Sequence, residues 1–170
     1  MDPARESSPF VDTYERLVAF LNQRGVSYRV IDHPPEGRTE VVSAMRGDDA
    51  HHVAKCMIML IKQGKKITRY VLAVVPGNAK VDFQAVKSLL QATYVAFASP
   101  ETAVALSGAP NGAVLPFSFD ASLYLIVDPS LLDSDEIYFN AGRLDRSIAL
   151  NTKAYLAIAR PRLASIAVAA

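Results

Sequence analysis

The stretch His52-Val53-Ala54-Lys55-Cys56-Met57-Ile58-Met59-Leu60-Ile61 constrains this chain more than any other. It is apolar and β-rich enough to be a buried strand, yet Lys55 sits inside it. A charge removed from water costs free energy unless something compensates it. Lys55 therefore either reaches solvent at a sheet edge or points into a cleft that needs a positive charge. Strand alternation places Val53, Lys55, Met57, Met59 and Ile61 on one face and Ala54, Cys56, Ile58 and Leu60 on the other. Two later segments favour the cleft: a Gly/Pro loop, Gly112-Ala113-Val114-Leu115-Pro116-Phe117, and a turn, Asn140-Ala141-Gly142-Arg143.

At 170 residues, with 51% hydrophobic and 21% charged, the chain suits one globular domain with a proper core. The net charge of +1 carries no broad basic excess, so a nucleic-acid partner must be gripped locally. One cysteine excludes an internal disulfide and fits a reducing compartment. Three histidines with that cysteine make a poor zinc set. No uncharged run approaches a membrane span, and the N-terminus lacks a signal-peptide core. These features together predict a cytoplasmic protein with no membrane partner, no metal and no cofactor.

Residues 1–9 read as a flexible tail, and residues 10–170 as the domain. Asp12 is placed to cap a helix carrying Tyr14, Leu17, Val18 and Leu21, and Gly25 ends it. Val26, Tyr28 and Val30 alternate as a half-buried strand. His33-Pro34-Pro35-Glu36-Gly37 is a loop. Thr39 caps a short helix that stops at Gly47. Val53–Ile61 and Ile67–Val75 form an antiparallel hairpin through Gln63-Gly64-Lys65-Lys66. Asp82 caps a helix with Phe83, Val86, Leu89 and Leu90, and a strand follows at Tyr94–Ala98. Ser99-Pro100-Glu101 starts the next helix, which ends near Gly108. Leu123–Val127 is a strand. Glu136–Asn140 and Ser147–Leu150 make a hairpin around Gly142, and Thr152 caps a last helix. The expected fold is α/β: a mixed, mostly antiparallel sheet of six or seven strands flanked by four or five helices.

Each chemical candidate has an ordinary reading beside the functional one. Lys55 alone could be an edge gatekeeper. Cys56 lacks a neighbouring base and reads as a buried thiol. His51 and His52 are adjacent and would face opposite ways on a strand, whereas His33 lies in a loop, where function concentrates. The Gly112 loop lacks a P-loop pattern, but its exposed N–H groups could hold an anionic oxygen. Lys62, Lys65, Lys66 and Arg69 at the hairpin tip are a solvated turn or a phosphate contact.

Taken in order, Val53-Ala54-Lys55-Cys56, Val75-Pro76-Gly77-Asn78-Ala79-Lys80-Val81-Asp82, the Gly112–Phe117 loop, Ile126-Val127-Asp128 and Asn140-Ala141-Gly142-Arg143 resemble the YbaK/EbsC–ProX family of aminoacyl-tRNA deacylases. These are relatives of the editing domain inserted in bacterial prolyl-tRNA synthetase. The resemblance runs from about Tyr28 to Leu156. It implies a YbaK-like mixed sheet with one cleft, and free-standing trans-editing of tRNA mischarged with a small amino acid, with tRNA-Pro as the commonest context. The partner is the 3′ CCA end of aminoacyl-tRNA, with an aminoacyl-tRNA synthetase as a candidate helper. Lys55 carries over as the catalytic residue, and His33, Thr39, Cys56, Gly112, Ala113, Pro116, Asn140, Gly142 and Arg143 as the substrate-binding set. Family members often place Thr, Ser or Asn where Cys56 stands, and some branches place His at Asn140. Two other readings are a non-catalytic tRNA- or nucleotide-binding regulator with the same fold, and thiol chemistry at Cys56.

Overall fold

The computed structural model describes residues 11–170; the expected tail at 1–9 lies outside them. The elements in chain order are α1 (Val11–Gln23), β1 (Tyr28–Asp32), α2 (Thr39–Arg46), β2 (Ala54–Gln63), β3 (Ile67–Pro76), β4 (Ala79–Val81), α3 (Phe83–Leu89), β5 (Tyr94–Phe97), α4 (Pro100–Ser107), β6 (Leu123–Val127), β7 (Glu136–Arg143), β8 (Arg146–Asn151), α5 (Thr152–Ala159), β9 (Arg162–Leu163) and β10 (Ala167–Ala169). One sheet runs β5-β2-β3-β6-β9, a second β1-β8-β7, and β10 pairs with β4. Only β3–β6 and β6–β9 are parallel. The mixed, mostly antiparallel α/β architecture agrees with the sequence reading. No helix of the described residues is long and apolar enough to cross a membrane.

The β2–β3 hairpin carries ten register pairs, from Ala54↔Pro76 to Gln63↔Ile67, and divides the core in two. Ala54 and Ile58, with Cys56 against them, face a cluster shared with α1, β7, β8 and α5 that includes Leu17, Leu72, Phe117, Phe139, Ile148 and Tyr155. Met59 and Ile61, with Met57, face a second cluster with Val71, Val75, Val86, Ile126 and Ile166. The period-2 split expected for this strand is the one observed, and Lys55 lies opposite Val75 on the second face.

Several local expectations are corrected. The strands number ten among the described residues, because β4, β9 and β10, of two or three residues each, are too short to show alternation. Asp12 lies inside α1 rather than before it. Thr39 is the first residue of α2, behind Arg38, which makes no side-chain cap. Asn151 caps α5 through Ala154 N at 3.0 Å, while the Thr152 hydroxyl donates to Ser134 O at 2.6 Å. Asn140-Ala141-Gly142-Arg143 is not a turn. It is the end of β7, bulged between Asn140 and Arg143, and the chain reverses one step later at Leu144-Asp145. Val30 is 45% exposed, because only β8 covers β1. His51 and His52 sit in a single 3-10 turn, Ala50–His52, with rings edge to face at 5.7 Å, rather than on a strand. The caps at Asp82 and Ser99 and the left-handed ends at Gly47 and Gly108 are as expected.

Asp128 ties the C-terminal strand to the sheet. One carboxylate oxygen accepts from Ser130 N and Oγ (2.8 and 2.6 Å), the other from Ile166 N and Ala167 N (2.8 and 2.7 Å). Burial alone pushes this carboxyl up, but the four donors outweigh it and hold it below 3.8. Stabilisation of this kind is complete above the unfolded value and is lost as pH falls through the lower folded one. Asp128→Ala is expected to cost about 1–3 kcal/mol in urea unfolding at neutral pH, with the deficit shrinking in acid below pH 4.

Candidate active site

β2 has a partner on both sides for only part of its length. β3 runs along all of it, whereas β5 pairs with Met59–Lys62 alone. β7 touches the start of the strand through an isolated bridge, Val53↔Tyr138, which leaves Lys55–Met57 as an open edge. The 33–38 loop, α2 and the 109–119 loop gather around that edge and leave a cavity of about 320 Å³. Its apolar lining includes Val42, Val53, Met57 and Val114, and its polar lining includes Lys55, Thr39 and Asn140.

Three cations line this cavity: Arg38, Arg46 and Lys55. Arg38 pairs with Glu36 at 2.8 Å. The side-chain hydrogen bond from Arg38, with the backbone N–H groups of Arg38 and Gly37, holds the Glu36 carboxyl down at about 2. Arg46 is buried and bonded to Asp48 at 2.6 Å. Lys55 makes no hydrogen bond or ion pair with any described residue. Its amine is half-buried, and desolvation lowers its pKa from 10.5, opposed by the charge of Glu40, which lines the same cavity without forming an ion pair with it. The cavity thus holds one unneutralised cation on a largely apolar wall.

The walls are held together by Asn140. Its amide donates to Glu36 O and to Gly112 O, both at 2.9 Å, and its Oδ1 accepts from the Ser147 hydroxyl at 2.9 Å. The two carbonyls fix which end of the amide faces Ser147, since carbonyls only accept. Ser147 in turn accepts from Arg46 Nη1 at 2.8 Å and lies 2.7 Å from His33 Nε2. The 33–38 and 109–119 loops meet at Gly37 and Gly112. A Cβ on Gly112, at φ +89°, would fall 2.5 Å from Gly37 Cα, so the contact requires glycine.

Lys55, Thr39, Cys56, Gly112 and Asn140 thus share one cavity. The other expected residues lie behind it. His33 bonds to Ser147 and to Pro34 O. Ala113 O accepts from Gly142 N at 3.1 Å, tying the loop to the β7 bulge. Pro116 O accepts from the fully buried Tyr155 hydroxyl at 2.6 Å. Arg143 is paired with Asp145 at 2.9 Å and lies over the Tyr14 ring. Cys56 faces the first core cluster, and burial pushes its thiol far up, so the thiolate needed for thiol chemistry is suppressed. Sequence reasoning missed Gly37, Arg46 and Ser147. Arg46 before Gly47 reads as an ordinary cation in a helix's last turn, and nothing local marks Ser147.

Asn140→Asp keeps the shape but turns two N–H donors into oxygens facing two carbonyls. It is expected to cost about 2–4 kcal/mol in thermal or urea unfolding. An unchanged stability would mean that the amide does not hold the loops.

Comparison with known proteins follows the same outline. Residues 33–158 match the family model described as the aminoacyl-tRNA editing domain. Over 152 residues, 89% of this chain and 90% of the other, the sequence is 39% identical to the "Multifunctional Ser/Thr-tRNA deacylase ProXp-y" of Escherichia coli K12. It is 33% identical over 97 residues, 56% of this chain and 16% of the other, to a proline–tRNA ligase of Bacillus licheniformis. The fold matches the crystal structure of "hypothetical protein APE2540" with a TM-score of 0.81, at 21% identity, over 90% of this chain and 99% of that one. An unpaired lysine at the open edge of a mixed sheet, two glycine loops closed over it, and the match along residues 33–158 have one common explanation: this chain belongs to the aminoacyl-tRNA editing domain family.

Proposed function

We propose that this protein is a free-standing aminoacyl-tRNA deacylase, hydrolysing the ester that joins a small, wrong amino acid to the 3′ end of tRNA. The observation that carries this reading is the unneutralised Lys55 ammonium in a cavity whose other two cations are paired. Water attacks the ester carbonyl, the carbonyl oxygen becomes an oxyanion, and the ribose oxygen leaves as a hydroxyl on the tRNA. The amino acid departs free. An aminoacyl ester is already activated, so a positioned water suffices without a protein nucleophile. The suppressed Cys56 thiol agrees with that.

Lys55 stabilises charge that develops on the oxyanion, or grips the terminal phosphate so that the carbonyl meets the water. The terminal ribose shares the cavity of about 320 Å³, and the part walled by Val42, Val53, Met57 and Val114 is left to select a small side chain by size. Serine and threonine, the amino acids in the description of the E. coli relative, fit that limit. Thr39 and the exposed Glu40 at the mouth are the polar groups available to a substrate hydroxyl and ammonium. tRNA-Pro is the proposed context, with prolyl-tRNA synthetase as the candidate helper.

Lys55→Ala is expected to lower kcat/KM on seryl-tRNA about 10²–10³-fold while leaving the unfolding transition in place. Full activity in that variant would remove the mechanism. A wild type that binds tRNA without turnover across a mischarged panel would establish the non-catalytic regulator instead. Because the amine must be charged to act, and burial lowers its pKa, enzymatic kcat/KM should fall with rising pH from below 10.5, after subtraction of base hydrolysis.

A further inference from the structure

The charges of this chain are segregated. From Ala50 to Pro100 there are seven lysines and arginines and one carboxylate, Asp82, so the rest of the chain holds more carboxylates than cations. Within this basic segment the β2–β3 hairpin carries Lys55 at one end and Lys62, Lys65, Lys66 and Arg69 at the other. None of the last four forms an ion pair among the described residues, unlike Arg29, Arg38, Arg143 and Arg146.

A second cavity, of about 720 Å³, lies at that far end. Register decides which face it occupies. Arg69 is opposite Ile61, Val71 is opposite Met59, and Val75 is opposite Lys55, so Arg69 and Lys55 share one face of the hairpin. Arg162 of β9 pairs with Ile126, whose side chain belongs to the cluster on the same face. Tyr124 adds aromatic surface, Gln63 and Gln91 add amides, and the end of α3 forms one wall. No carboxylate lines this groove. Arg69 lies at the level of Ile61, six strand steps from Lys55 or about 20 Å at ~3.3 Å per residue, and Arg162 lies at the level of Met57, three strands across or about 14 Å at ~4.8 Å per strand.

We propose that this groove is a second RNA contact, where Arg69 and Arg162 hold backbone phosphates of the tRNA body while the 3′ end sits beside Lys55. The inference rests on the deacylase reading for what occupies the first cavity. Charge complementarity selects the occupant: two unpaired guanidiniums, flanking lysines, a tyrosine face and no acid suit a polyanion with stackable bases. At those separations the phosphates reached lie upstream of the terminal nucleotide, toward the RNA body. The rest of the surface, being acidic overall, repels the same polyanion and orients it.

The test is the double variant Arg69→Gln/Arg162→Gln, both sites being exposed and outside the Lys55 cavity. Two substrates are compared, full-length seryl-tRNA and a seryl-adenosine too short to reach the groove. Uncharged tRNA binding is followed by fluorescence anisotropy across a salt series. We expect tRNA affinity to fall about tenfold and the log–log salt slope to drop by about 2. The kcat/KM on seryl-tRNA should fall through KM, with hydrolysis of seryl-adenosine unchanged. Wild-type tRNA affinity and salt slope in the variant would overturn the proposal. An equal loss on both substrates would also overturn it, since that marks damage to the fold or the first cavity. If wild type hydrolyses neither substrate but the variant loses tRNA binding, the deacylase reading falls and the groove stands.

Discussion

The half-paired condition of β2 governs everything else in this molecule. A central strand normally spends both its hydrogen-bonding edges on neighbours. Here β5 stops at Met59 and β7 touches only at Val53, so Lys55–Met57 keep one edge free while the other half of the strand is locked into the core by Met59 and Ile61. A rigid strand with an open end can present a side chain accurately without itself being able to move. Lys55 occupies that end. Its stem lies beside Met57 and Val75, and its amine is held partly out of water without an ion pair, Glu40 acting on it only beyond pairing distance.

Keeping that edge open but enclosed is a packing problem, and it is solved with one amide. The two loops that cover the edge come from distant parts of the chain and touch through glycine backbones, which contribute little apolar burial. Asn140 bonds both carbonyls at once, Ser147 orients Asn140, and the buried Arg46–Asp48 pair orients Ser147. A fully satisfied polar network of this kind specifies one arrangement of the loops. Several residues expected in the substrate-binding set belong to this scaffold. His33, Ala113, Pro116 and Gly142 shape the cavity from behind through Ser147, Tyr155 and the β7 bulge.

Much of the local structure was legible where a single residue decides it. Asp82 and Ser99 cap helices because their side chains reach N–H groups two or three residues on. Thr39 and Thr152 misled for the same reason in reverse. Each has a cap residue's chemistry, but the capping position belonged to a neighbour, and Thr152 found a tertiary acceptor in Ser134. Gly142 suggests a hairpin turn in the sequence because a bulge uses the same positive φ as a turn does.

By itself, the sequence determined the alternation of β2, the misfit of a lysine within it, and the order of glycine loops that carries the family resemblance. These are one-dimensional properties: side-chain period, charge and the φ that only glycine tolerates. Tertiary structure alone decided that Arg38 and Arg46 are neutralised and Lys55 is not, that Asn140 is committed to two carbonyls, and that Arg69 shares a face with Lys55 across a strand register. Those facts concern which groups meet after residues far apart in the chain are brought together. Pairing, desolvation and register are properties of that meeting, and no residue carries them alone.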